Sequence, residues 1–548
     1  MKITAGALNF DYDSGALRRI CLGEVEIIRG IAYLVRDKDW GTLVPQIYDE
    51  RIEDKRISYS ATYESNSARL VVSVVIDFAE GLDFTAEARA MGDFETNRAG
   101  FTVLHPISGV AGAPVTVEHC DGSIRAAHFP KLIAPWQPFQ DLRALTHHAG
   151  GWQISCRMEG DAFEMEDQRQ WGDASYKTYV RPLALPWPYV VADGAAFSQA
   201  VRLRWQAAGS VETAPPEPQI AGVFPQTALV ITAQEALLAA TLPADLDVVK
   251  PQRLLCHFDA TLHGLAELQA FAALQAVYHA EFDLELIARC DGDLDLEFAR
   301  HAKDLEISGL RVASIMVCPS VDRQSTPPGS AWPPCPALAD VCKAARLAFP
   351  GVILGGGMVS FFPELNRKPP PVALLDFVSH GLCPIVHDAS DAGVMQTLEA
   401  VPHITATARS IIGAKQYRLG PSTIAMRQNP YGSRTIPNPE QARVCMSDDD
   451  PRHRELFGAA YTVGLAAALV GSGVEIWTPA GLYGPRGVMD WDGQVYPLAE
   501  VLAVLAERAG QQVRAEIVPE RRASLHFEGG AVRADLAEHR WSQELGAK

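Results

Sequence analysis

Acids, bases and aromatic rings crowd the stretch Phe163-Glu-Met-Glu-Asp-Gln-Arg-Gln-Trp-Gly-Asp-Ala-Ser-Tyr-Lys-Thr-Tyr179. It holds Glu164, Glu166, Asp167 and Asp173, the cations Arg169 and Lys177, and the rings of Trp171, Tyr176 and Tyr179. Burying an unpaired charge is costly, so no ordinary core strand carries such a set. Read as extended chain, Phe163, Met165, Asp167, Arg169 and Trp171 share one face, and Glu164 and Glu166 share the other. Two carboxylates two residues apart on a strand sit roughly 6–7 Å apart. At that separation each raises the other's pKa, which suits a division into acid and base. The plain alternative is a salt-bridged seam between two domains, with Arg169 and Lys177 neutralising the acids.

A second set of polar residues stands at the ends of short apolar runs. It comprises His257, Asp259, Arg289, Asp291, Glu364, Asn366, Arg367, His380, His387, Asp388, Arg427 and Asn429, with Tyr431 close behind. Each residue alone reads as a turn or cap. A chemically varied set at successive strand ends reads as a site, because a parallel barrel carries its active site there. Glu364 leads this set, since Asn366 and Arg367 are near enough to orient it or to bind the same substrate; its plain alternative is an ion pair with Arg367 or Lys368.

The elements behind these residues fall into two rhythms. Residues 1–210 read as β: runs such as 7–12, 23–33, 56–64, 68–78, 82–91, 100–105 and 151–158 alternate, with Gly, Asn and Asp between them. That pattern predicts an antiparallel β-sandwich. Residues 212–220, rich in proline, read as a linker. From there strand and helix alternate to about residue 510, which predicts a (β/α)8-type TIM barrel over 211–510. Seven strands are clear: 253–259, 282–289, 312–318, 352–355, 374–379, 417–420 and 474–478. The eighth is either 228–232 or 513–518. Residues 511–548 read as a small C-terminal β element.

Bulk properties exclude several classes. The chain has 548 residues and a net charge of −18, which argues against nucleic acid or an anionic membrane as partner. Its first residues lack an apolar core, so no secretory signal is expected and a cytoplasmic location is. The apolar stretch 456–476 is broken by Gly471-Ser-Gly473 and reads as a buried helix running into a buried strand, not a membrane span. The ten Cys include no CxxC pair. Gly355-Gly-Gly357 is no dinucleotide fingerprint, no GxSxG elbow appears, and His257-Phe-Asp259 has one His where a metal-dependent amidohydrolase shows two. No cofactor is therefore expected; the linear sequence leaves open a metal site built in three dimensions.

The chain resembles the D-apionate lactonase family of bacterial apiose catabolism. The resemblance is carried by Asn97-Arg98-Ala-Gly-Phe-Thr-Val-Leu-His105-Pro, His119-Cys-Asp-Gly122, residues 130–139 and above all the Glu164-Met-Glu-Asp-Gln-Arg169 motif. It continues through Glu364-Leu-Asn-Arg367, residues 380–387, Gly420–Tyr431 and residues 478–484, so it spans nearly the whole chain. It implies hydrolysis of a sugar-acid lactone, D-apionolactone or a related aldonolactone, with a small-molecule lactone as partner. Homo-oligomerisation stays open. Ester opening of this kind needs a base for water, donors for the oxyanion and an acid for the leaving ring oxygen. Glu166 and Glu364 are the expected acid/base pair, with Asp167 and Arg169 beside them. Lys177, Arg427, His257, Asp259, Asn366, Arg367, His387 and Asn429 are expected to bind substrate, and Trp171 and Tyr431 to stack on the sugar. Two rivals remain. A glycoside hydrolase shares the sandwich-plus-barrel plan but needs two carboxyls flanking one bond. A non-catalytic sugar-binding protein would keep the rings and cations and tolerate loss of the acids.

Overall fold

The computed structural model describes residues 1–38, 40–65, 68–208, 220–326, 330–430 and 434–545. The chain divides into two compact units, Met1–Arg169 with Ala174–Pro216, and Gln170–Asp173 with Glu217–Lys548. The linker expected at 212–220 lies, up to residue 219, outside the described residues.

The first unit is built on one antiparallel sheet of 16 strands. Alternation decides which side of each strand is buried: Ala68–Asp77 hides Ala68, Leu70, Val72, Val74 and Ile76 and turns the residues between them outward. Aromatic pairs then join strands far apart in the hydrogen-bonding order. Phe10 meets Phe78 edge-on at 5.4 Å, Tyr33 meets Tyr63 at 6.3 Å, and Phe84 meets Phe101 at 4.9 Å. The sheet thus doubles back over one apolar core and forms the expected antiparallel sandwich.

The extended reading of 163–171 needs correcting. Only Phe163–Glu166 is strand, and Gln168–Trp171 is a single 3-10 turn. The cause is local hydrogen bonding by Asp167. Its Oδ2 accepts the Ala134 amide at 3.0 Å, and both its oxygens accept from Arg169, two residues on, at 2.8 and 2.7 Å. Asp167 thus ties its own segment to Ala134 and closes locally on Arg169, and such side-chain bonding competes with continuation of the strand.

The second unit holds a closed barrel of eight parallel strands. They are β1 (Gln226–Ile231), β2 (Arg253–Asp259), β3 (Glu281–Ala288), β4 (Ser314–Pro319), β5 (Ile353–Phe361), β6 (Phe377–Gly381), β7 (Gln416–Leu419) and β8 (Val474–Gly481). The open choice for the eighth strand resolves to residues 226–231. The other candidate, Gln512–Val518, instead pairs with Ile220–Val223 in a five-stranded antiparallel sheet completed by Arg522–Phe527, Gly530–Asp535 and Arg540–Leu545. Helix boundaries follow the usual stop and start chemistry. Leu294–Ser308 opens at Asp293, whose side chain accepts the Leu296 amide, and ends at Gly309 with φ 77°. Leu456–Leu469 is buried along almost its whole length, packed beside the five-stranded sheet, and runs on into β8. Among the described residues no helix is long and apolar enough to cross a membrane.

The barrel lumen is polar at its N-terminal end. Arg253 holds Asp283 through two hydrogen bonds of 2.7 and 2.8 Å, and Arg418 reaches Ser314 at 2.7 Å and Asp283 at 3.3 Å. Arg418 also stands over Phe377, its Cζ 3.6 Å from the ring centre. Phe377 belongs to an apolar lumen cluster with Ile287, Met316, Cys318 and Val359. Gly355 makes room for it: a Cβ there would stand 2.1 Å from the Phe377 ring. Beyond Gly357 the β5–β6 register shifts, and this irregularity precedes the segment that carries Val359 to the mouth.

Candidate active site

Alternation in β2 and β3 aims one set of side chains inward. His257 and Asp259 follow Arg253 at period two, and Glu285 and Ile287 follow Asp283. His257, Asp259 and Ile287 line a cavity of about 760 Å³ at the C-terminal end of the strands, together with Ser320, Arg323, Ser325, Thr326, Arg427, Asn429 and Arg434, and Glu285 stands behind His257. This is the end of a barrel where catalytic groups gather.

Glu285 is the most constrained acid of the site. Its Oε1 lies 2.6 Å from His257 Nδ1, and Arg427 donates to both its oxygens at 2.7 and 3.2 Å. Burial pushes this carboxyl up, but the Arg427 charge and the His257 contact win and hold it down to about 2. Arg427 is itself anchored by donating to the Val359 carbonyl at 2.7 Å. Next to this group, Asp259 pairs with Arg323 at 2.5 Å and accepts the Thr261 amide and hydroxyl at 2.9 and 2.6 Å. The Asp259 amide donates to His263 Nδ1 at 3.0 Å.

Glu364 stands one hydroxyl behind the cavity wall. It sits in the short helix Phe362–Arg367, and Ser325, which lines the cavity, donates to its Oε1. Burial raises the Glu364 carboxyl above the ordinary carboxylate range, aided by the nearby Asp322 charge. The Ser325 hydrogen bond, the Arg367 charge at 3.6 Å and the Thr326 amide oppose that rise without cancelling it. Asp322 is likewise raised by burial, against Lys368 at 2.8 Å.

A second polar group surrounds Trp171. Arg367 lies over the Trp171 ring with Cζ 5.6 Å from its centre, the His387 ring meets Trp171 edge-on at 6.0 Å, and His387 Nδ1 is 2.7 Å from Asp173 Oδ2. The tip Gln170–Asp173 of the acid-rich stretch therefore groups with barrel residues. The rest of that stretch is paired within the first unit. Asp167 and Arg169 are both 0% exposed and bound to one another, and Arg169 donates further to the Pro130 carbonyl at 2.9 Å. Glu166 pairs with Lys177 at 3.0 Å, and Glu164 accepts from the Tyr179 hydroxyl and the Leu183 amide, each at 2.7 Å.

Of the expected residues, His257, Asp259, Arg427 and Asn429 line the cavity, and Glu364 touches its wall through Ser325. Asn429 donates to the Arg434 carbonyl at 2.9 Å. Arg367, Trp171 and His387 form the second group, Asn366 is buried in the short helix, and Tyr431 lies outside the described residues. Arg427 lines the cavity and also holds Glu285 and the Val359 carbonyl. Sequence reading missed Glu285, Arg323 and Ser325. Glu285 had a visible signal, since Asp283-Leu-Glu285-Leu places two acids on one face of an apolar strand. Arg323 and Ser325 sit in the loop after β4 and carry no periodic signal. Among the described residues no three His, Cys, Asp or Glu side chains converge as a metal site.

Comparisons with known proteins place this geometry in a family. Residues 1–208 match the model of the D-apionate lactonase N-terminal domain, and residues 227–510 match that of the D-apionate lactonase TIM barrel domain. A D-apionate lactonase from Brucella anthropi is 45% identical over 510 residues, covering 90% of this chain and 84% of that protein. Solved structures are more distant. A calcium-binding mutant of β-glucuronidase 2 from Bacteroides uniformis is 8% identical with a TM-score of 0.35, covering 87% of this chain and 57% of that one. The β-glucuronidase of Ruminococcus gnavus is 8% identical with a TM-score of 0.34, covering 83% and 98%. Likeness at that level carries no functional weight. With both domain models matched in order and nearly half the residues shared with a full-length relative, the chain belongs to the D-apionate lactonase family.

Proposed function

We propose that this protein hydrolyses a sugar-acid lactone, D-apionolactone or a related aldonolactone, to the free aldonate. The observation that carries the reading is the 45% identity to a D-apionate lactonase over 90% of the chain. The cavity supports it with an acid of the right character. Burial keeps Glu364 protonated to a higher pH than an exposed carboxyl, as a general acid requires.

The acid acts through its neighbour. Ser325 lines the cavity and shares a hydrogen bond with Glu364; when the protonated Glu364 carboxyl donates across that contact, the Ser325 hydroxyl is freed to protonate the leaving ring oxygen. Arg323, paired with Asp259, and Arg434 line the same cavity, and a guanidinium suits an oxyanion and the aldonate product. Glu166, first expected as the partner of Glu364, has Lys177 as its counter-ion and is assigned no step here.

Assay of the purified protein on a panel of aldonolactones and aryl glycosides tests the activity; opening of lactones alone is expected, and cleavage of glycosides alone would sink the reading. Glu364→Gln keeps an acceptor for Ser325 but has no proton to give. It is expected to lower kcat by about 10²-fold or more with an unchanged melting temperature. A lowered melting temperature with normal turnover in the folded fraction would make Glu364 only the ion-pair partner of Arg367.

A further inference from the structure

We propose that His257 is the general base that draws a proton from the attacking water, with Glu285 as the positioning residue that sets its tautomer and its tilt. The inference rests on the lactonase reading of this cavity and adds the half of the acid/base pair that this reading leaves unassigned.

The geometry is that of an oriented imidazole. An ionised carboxylate only accepts hydrogen bonds, so the 2.6 Å contact to Glu285 puts the ring proton on Nδ1. In the neutral ring the lone pair is then on Nε2, which makes no hydrogen bond among the described residues, and His257 lines the cavity. Glu285 is suited to the task because it is 1% exposed and stays ionised: burial works against its charge, but Arg427 and His257 hold it down to about 2. The two-pronged grip of Arg427, itself fixed on the Val359 carbonyl, locks the plane of the carboxylate. Other charged or titratable groups around His257 are few. Asp259 lies two residues on in the same strand and is paired with Arg323, and the His263 ring stands edge-on at 6.2 Å. Neither contacts Nε2.

The proposed step balances. The water oxygen bonds the lactone carbonyl carbon as one water proton passes to His257 Nε2, and the carbonyl π pair moves onto its oxygen. Collapse of this tetrahedral species restores the C=O bond and breaks the bond to the ring oxygen. That oxygen takes the Ser325 proton, which Glu364 replaces. The imidazolium then loses its proton to solvent and Glu364 regains one. The net reaction is lactone plus water to hydroxy acid.

His257→Ala and His257→Gln, assayed on the lactone that the wild type opens fastest, test the assignment. Both are expected to keep the wild-type melting temperature and KM while kcat falls by about 10²–10⁴-fold. Added imidazole, which fits the space left in His257→Ala, is expected to restore part of kcat in a saturable way and to leave the wild type unaffected. Glu285→Gln is expected to lower kcat with KM little changed, since the ring loses its fixed tautomer. Three results would overturn the base assignment alone: kcat within about threefold of wild type in either folded variant, lost turnover that imidazole does not restore, or lost turnover that follows lost folding. A wild type that opens no aldonolactone would overturn the lactonase reading and this inference together.

Discussion

Asp167 and Glu285 are both buried acids beside an arginine, yet their surroundings give them opposite uses. Asp167 spends both oxygens on Arg169 and the Ala134 amide, and the side chains of Asp167 and Arg169 are both 0% exposed. No atom of that pair is left for a substrate. Its work is to hold a turn, and removal of one partner strands a buried charge. Asp167→Asn is therefore expected to destabilise the protein by about 3–5 kcal/mol, read by denaturant titration, with normal turnover per folded molecule. Lost turnover with unchanged stability would return Asp167 to the catalytic list. Glu285 differs because one of its partners is a titratable ring that opens on a cavity.

Among the elements, β5 shows how a run of glycines can be structural. Gly355-Gly-Gly357 carries no phosphate chemistry, and Gly355 lies against Phe377, whose ring fills the lumen over Arg418. A methyl group there must displace a packed ring, so Gly355→Ala is expected to cost about 1–3 kcal/mol and to lower the apparent melting temperature. Adding Phe377→Leu should recover part of the loss if the clash is its cause, and an unaltered melting temperature in the single variant would refute it. The strand positions were legible from alternating apolar runs between turn residues, and each of the seven clear barrel strands overlaps an observed one, although β5 runs on past the expected end at 355 to Phe361. The end of the Phe163–Glu166 strand was not legible, because it depends on Asp167 meeting Ala134, 33 residues away.

At the scale of the whole molecule, four histidines among the described residues are buried and held down: His105 to about 3, and His147, His380 and His453 to about 4. Burial is the leading cause for each, since the core disfavours the charged ring. The sign follows from linkage. The unfolded chain takes up these protons below about pH 6.5 and the folded chain does not, so stability is full above that pH and is lost as pH falls toward 4. Each such group contributes a slope of about 1.4 kcal/mol per pH unit within that window. His147 has neither ring nitrogen hydrogen-bonded among the described residues, so His147→Leu should fold at neutral pH and show a shallower fall in apparent melting temperature between pH 6.5 and 4.5. A slope equal to that of the wild type would sink this account.

The amino-acid order by itself determined the two architectures, because sheet and barrel announce themselves through local periods of two residues and of strand then helix. It also marked the chemically able residues, since charge and aromaticity are properties of each position. What it left undecided is which of those residues face a substrate and which face each other. Glu166 and Asp167 stood out and Glu285 did not, yet Lys177 and Arg169 pair with the first two while a cavity-lining histidine meets the third. Counter-ions and cavities are made by distance in space, and many of the distances that matter here separate residues far apart along the chain.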